Sequence, residues 1–170
     1  NLLTLQRRAA ILDGSDLPPY PNVLDFLLGV SDATRQGALR FRVGDGPFLL
    51  NSPTVPKTMA LTSLLADADA IIAESPTEWK AAVKRMLDAG TGALGGAHPK
   101  AAIVDDDRTL WLAKFPALDD KVDRSAWEKT ALDLAEMAGL QVPRRRLVSV
   151  GGRTVLLVER FDRDRDRDHG

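Results

Sequence analysis

Apolar residues fall into two kinds of spacing along this chain. Before residue 90 helical spacing dominates. Residues 60–73 are rich in Ala and Leu with no breaker, which favours a helix on propensity alone. The next helix has clearer punctuation. Ser75 stands as its cap, Pro76 at the first helical position, Glu78 completes a capping box, and Gly90 is a natural stop. Trp79, Ala82, Val83, Met86 and Leu87 make its apolar face. Further upstream, Pro18, Pro19 and Pro21 mark a linker, and Asn22 to Val30 reads as a short helix. Residues 38–50 read as a hairpin turning at Gly44-Asp45-Gly46.

From residue 99 the spacing shortens towards two. Lys100 to Val104 and Thr109 to Phe115 read as strands around the turn Asp105-Asp106-Asp107-Arg108. Ser125 and Glu128 form a capping box that opens a helix ended by Gly139. Its apolar stripe, Trp127, Ala131, Leu134, Ala135 and Ala138, is expected to be buried. A last hairpin runs from Arg146 to Val150, through Gly151-Gly152, and from Val155 to Phe161. The order strand, strand, helix, strand, strand predicts an α+β fold. Trp79, Trp111 and Trp127 are expected in the core.

Composition narrows the function classes. Of 170 residues, 44% are hydrophobic and 28% charged, as in a chain with a globular core. Lys and Arg number 23 against 24 Asp and Glu, for a net charge of -1. That balance gives no footprint for direct nucleic-acid or membrane binding. With no cysteine there is no disulfide or thiolate chemistry, and a cytoplasmic location is expected. His98 and His169 are too far apart in sequence to suggest a histidine metal site, and no metal ligands are expected. The start at Asn1 and the alternating run Arg163 to Asp168 both read as cuts in a longer chain.

Three features carry candidate chemistry. Residues 90–97 hold four glycines, whose unshielded backbone N–H groups can approach phosphate oxygens, and Lys100 follows. Such clusters also mark simple turns, and Gly95-Gly96-Ala97-His98-Pro99-Lys100 is neither a Walker A nor a Rossmann motif. Second, alternation puts Leu110, Leu112 and Lys114 on one strand face, with Trp111, Ala113 and Phe115 on the other. A lysine there has an ion-pair partner, a ligand, or a stem lying along the sheet with its ammonium in water. Third, Glu128 in the next helix is the candidate partner for Lys114. Glycine loop, strand lysine and helix glutamate, in this order, are the parts by which kinases hold ATP phosphates. The Asp105 to Asp107 run reads as a turn, and Arg144 to Arg146 as a basic rim.

Several stretches carry a family resemblance. Leu27-Leu28-Gly29-Val30-Ser31-Asp32-Ala33-Thr34-Arg35-Gln36-Gly37-Ala38-Leu39-Arg40-Phe41, Leu94 to Ala101, Leu112-Ala113-Lys114-Phe115-Pro116, Trp127-Glu128 and Val158-Glu159-Arg160-Phe161-Asp162-Arg163 resemble the HipA family. Its members are serine/threonine kinases of bacterial type II toxin–antitoxin systems. The resemblance implies a protein-kinase-like N-terminal lobe, an antiparallel sheet plus one packed helix, preceded by a partly helical N-terminal segment. Residues 1–88 would be a partial N-terminal subdomain and connector, 89–163 the lobe, and 164–170 a charged tail. Gly92, Ala93, Leu94, Gly95, Gly96, Ala97, His98 and Lys100 would line the ATP phosphates. Lys114 would contact them and Glu128 would orient Lys114. Glu159 to Phe161 would be the hinge meeting the adenine, with Ala113, Val158 and Phe161 as apolar walls. ATP and Mg2+ are the implied cofactors, the Mg2+ ligands and catalytic aspartate lying in a second lobe beyond residue 170. The implied partners are a HipB-like DNA-binding antitoxin and a protein substrate of the aminoacyl-tRNA synthetase class. Where many members carry an autophosphorylated loop serine this chain has Ala93, which leaves Thr91 as the nearest hydroxyl. The alternative is a non-catalytic lobe that contacts an antitoxin.

Overall fold

The computed structural model describes Leu24, Asp32, Thr34, Arg35, Gly37 and residues 39–49, 55–73, 77–88 and 98–162. A 3-10 turn, Thr58–Ala60, leads into α1, Leu61–Ile72, and α2 spans Trp79–Asp88. Then come β1 (Lys100–Val104), β2 (Leu110–Lys114), α3 (Arg124–Met137), β3 (Arg145–Val150) and β4 (Arg153–Glu159). The strands form one antiparallel sheet in the order β1-β2-β4-β3. The expected cap at Ser75 and Pro76, the stop at Gly90 and nearly all of the short helix at 22–30 lie outside the described residues.

Turn chemistry fixes the register at both hairpins. Gly151 and Gly152 adopt φ of 56° and 78°, the left-handed pair that a two-residue turn needs to match strand twist. Between β1 and β2, the Asp105 carboxylate accepts the N–H groups of Asp107 (3.1 Å) and Thr109 (2.9 Å), so a side chain closes the turn. The early hairpin is slighter than its sequence suggests. It keeps one antiparallel bridge, Arg42 with Phe48, and Leu49 N–H donates to Phe41 O at 2.7 Å. Pro47 has no N–H with which to extend that ladder.

Alternation along the strands gives the sheet two unlike faces. Ala101, Ile103, Trp111, Ala113, Val150, Val155 and Leu157 point one way and form the main core with Leu61, Leu64, Leu65 and Ala68 of α1 and Met86 of α2. Burial of this apolar area is the main favourable term in the fold. Asp69 of α1 pairs with Arg153 of β4, and Asp67 with Arg85 of α2, so charges rim the apolar layer. The other face carries Lys100, Leu112, Lys114, Arg145 and Leu156, by the cross-strand register. There α3 packs across β3 and β4.

Helix α3 departs from expectation in two ways. Its N-cap is Asp123, whose side chain accepts Ala126 N–H at 2.9 Å, and Ser125 is buried inside the first turn. The Ser125–Glu128 capping box therefore does not form, and Glu128 turns to the sheet. The apolar stripe is also on the outside. Trp127 is 68% exposed and Leu134 59%, and Ala131 and Ala138 are exposed beside them. The sheet side is instead Ser125, Glu128, Leu132 and Asp133, because Lys114 and Arg145 stand under the helix and draw its carboxylates inward. Trp79 and Trp111 are core residues as expected, and Trp127 is not. At the far end Gly139, φ 85°, and the bond from Leu140 N–H to Ala135 O close a Schellman motif.

Candidate functional site

The register sets Lys100, the first residue of β1, directly opposite Lys114, the last of β2. Cross-strand partners on one face have Cβ atoms about 4.5–5.5 Å apart, so two cationic stems are brought side by side. Like charges so placed oppose folding unless anions surround them. One anion is supplied by the fold. Lys114 Nζ donates to Glu128 Oε1, with both side chains partly exposed. The cap at Asp123 fixes where α3 begins, and this places Glu128 over the end of β2.

The segment expected to cover phosphates, Gly92, Ala93, Leu94, Gly95, Gly96 and Ala97, lies outside the described residues, as does Thr91. Its exit is described. His98 Nε2 stands 3.4 Å from Asp120 Oδ1, and the same carboxylate accepts Arg124 Nε at 2.7 Å and Ala117 N–H at 2.9 Å. Asp120 is thus a hub joining the glycine-rich segment's exit, the stretch after Lys114 and the start of α3. Sequence reasoning missed it. The signal was there in part, as an Asp four residues ahead of an Arg at a helix start.

The expected hinge follows β4. Glu159 N–H donates to Arg144 O at 2.8 Å and its carboxylate is gripped by the Arg144 guanidinium. Arg160 N–H donates to Leu110 O at 2.9 Å. Phe161 lies past the strand with its residue surface 88% exposed. Ala113 is not on Lys114's side. It is fully buried in the opposite core, since neighbouring strand residues point to opposite faces. Apolar residues sharing the lysine's face are Leu112, its cross-strand neighbour Val158, and Leu156 directly opposite Lys114.

The two charge runs meet around Trp111. Its indole N–H donates to Asp105 Oδ2 at 2.8 Å, and the guanidinium groups of Arg144 and Arg146 lie 5.7 and 4.9 Å from its ring centroid. Burial raises the Asp105 carboxyl pKa, but hydrogen bonds from Trp111, Thr109 and Asp107, with Arg146 nearby, bring it below the ordinary carboxylate value. Among the described residues no group of three or more His, Cys, Asp or Glu could hold a metal ion. Asp105, Arg144 and Arg146 thus cluster around the indole.

Helices on both faces of an antiparallel sheet, and a lysine–glutamate pair joining one face to its helix, define an α+β protein with a cationic sheet edge. Residues 92–169 match the family model described as HipA-like C-terminal domain. No curated protein and no solved structure matches it. No helix among the described residues is long and apolar enough to cross a membrane.

Proposed function

We propose that this chain carries the ATP-binding portion of a HipA-type serine/threonine protein kinase, which moves the γ-phosphate of ATP to a protein hydroxyl. One observation carries the reading: the Lys114–Glu128 pair, formed beside Lys100 at the exit of the glycine-rich segment. The pair is partly exposed, and such pairs contribute little to stability. Its value lies in positioning. Glu128 holds the Lys114 ammonium at one place on the sheet face, where it can meet a phosphate oxygen without reorganising. Lys100 adds a second positive charge from the opposite strand, so the donor set suits a polyphosphate. Mg2+ would draw its ligands from a second lobe. In this reading Leu112 and Val158 offer the adenine an apolar surface, and the backbone from Glu159 to Phe161 offers the hinge. The protein substrate and a HipB-like antitoxin belong to the same proposal, and the location is cytoplasmic.

The test is a MgATP titration of the wild type and K114A, with γ-phosphate transfer followed in the native protein that carries this chain. Binding that weakens at least tenfold in K114A, with transfer lost, is expected. Equal ATP affinity in the two proteins would refute the role of Lys114.

The outer face of α3 favours a second reading, a lobe that binds a protein partner. Trp127, Leu134 and Met137 are all exposed there, an unusual concentration of large apolar groups on one helix. Stable binding of a HipB-like antitoxin by a chain that shows no ATP affinity would give this reading the lead.

A further inference from the structure

Thr34, Arg35 and Gly37, far in sequence from Lys100 and Lys114, are tied to the end of β4. Arg160 is 7% exposed and its guanidinium makes four hydrogen bonds. Nη1 donates to Thr34 O at 2.9 Å and Nη2 to Arg35 O at 2.7 Å, across more than a hundred residues of chain. The Asp162 carboxylate takes the remaining edge, from Nε at 2.8 Å and Nη2 at 2.6 Å. Asp162 in turn accepts the N–H of Gly37 at 2.8 Å. Gly37 has φ 76°, a conformation that turns its N–H to the carboxylate at no steric cost to glycine. The partner segment is itself braced, since Arg40 Nε and Nη2 both donate to the buried Asp32 carboxylate and the Arg35 guanidinium lies 4.8 Å from the Phe41 ring centroid.

We infer that Arg160 and Asp162 are positioning residues that lock the backbone following β4 onto Thr34, Arg35 and Gly37, so that these remote residues set the shape of the nucleotide hinge. The inference rests on the reading of residues 159–161 as that hinge. Two backbone hydrogen bonds flank this point, Glu159 N–H to Arg144 O and Arg160 N–H to Leu110 O. The main chain is therefore held by both neighbouring strands and, through the Arg160 side chain, by Thr34 and Arg35. A displacement of 34–37 must either break buried charge-assisted bonds or carry the hinge with it. By linkage, a partner that moves this segment alters nucleotide affinity, and nucleotide alters the segment by the same factor. The arginine fork spreads four bonds over three nitrogens, whereas a lysine ammonium has three donors on one atom and cannot reproduce that set.

The experiment follows hydrogen exchange at the Gly37 amide by NMR, with MgATP titrations, in the wild type, R160K and D162A. Gly37 exchange is expected to quicken roughly tenfold in both variants, from the loss of one charge-assisted bond. In the wild type MgATP should slow Gly37 exchange further. R160K should lose that response and bind MgATP roughly tenfold more weakly. D162A, whose side chain lies nearer the surface, keeps the test open if R160K fails to fold. Unchanged Gly37 exchange in the variants overturns the clamp. Faster exchange with unaltered MgATP affinity overturns its coupling to the hinge. A wild type that ignores MgATP while the variants still exchange faster overturns the nucleotide reading and upholds the clamp.

Discussion

Lys114 on the last position of β2 and Glu128 in the first turns of α3 are joined by an ion pair that bridges sheet and helix. Each remains partly exposed, at 29% and 43% of its side chain, so solvent screens the attraction. E128Q should accordingly change unfolding free energy by no more than about 1 kcal/mol. MgATP affinity in the same variant should fall at least tenfold, because the ammonium is no longer held. Parallel urea melts and ATP titrations check the split. A large stability loss with unchanged affinity would make the pair structural.

The inversion of α3 predicts a contrast between two leucines. Leu134 is mostly exposed, so L134A should lie within about 0.5 kcal/mol of the wild type. Leu157 is fully buried in the core on the opposite face of the sheet, so L157A should cost about 2–5 kcal/mol. Chemical denaturation measures both. A costly L134A would mean that the outer face of α3 is covered in solution.

The cap of α3 gives a third expectation. D123A removes the acceptor for Ala126 N–H and should cost about 1 kcal/mol. Because the cap fixes where Glu128 stands, the same variant should also weaken MgATP binding. Thermal melts and titrations read the two effects separately.

Asp162 predicts a pH dependence. Its paired Arg160 guanidinium, aided by the Gly37 N–H and opposed by burial, holds its pKa at about 2, below the ordinary 3.8. A depressed carboxyl stabilises the fold above its unfolded value and loses that contribution as pH falls through the folded one. The stability gap between wild type and D162N should thus be full above pH 4 and shrink as pH falls from about 4 to about 2. Urea melts across that range would show it. A gap that stays constant would mean that Asp162 has no depressed pKa.

Local signals made much of this fold legible. The Ala- and Leu-rich run at 60–73 is α1, and period-two spacing with an Asp-rich turn and a Gly-Gly turn located both hairpins. Alternation alone put Leu112 with Lys114 and Ala113 against it, and the register bears this out. These features depend on neighbours a few residues apart, whose geometry the chain carries wherever it packs. The pairing of Glu128 with Lys114 could also be suspected, because only a short loop separates β2 from α3.

Tertiary structure decided what the helical period could not. The spacing of Trp127, Ala131, Leu134 and Ala138 marks one apolar side of α3, but no local rule says on which side the sheet lies. Lys114 and Arg145 on the sheet settled it by drawing Glu128 and Asp133 inward. Glu128 could cap its own helix or reach the lysine, and Asp123 took the cap. The Arg160 clamp is the extreme case. Its partners at Thr34, Arg35 and Gly37 lie more than a hundred residues away, and no pattern in the chain announces such a contact. Periodicity reports which residues share a side, and only packing determines what that side meets.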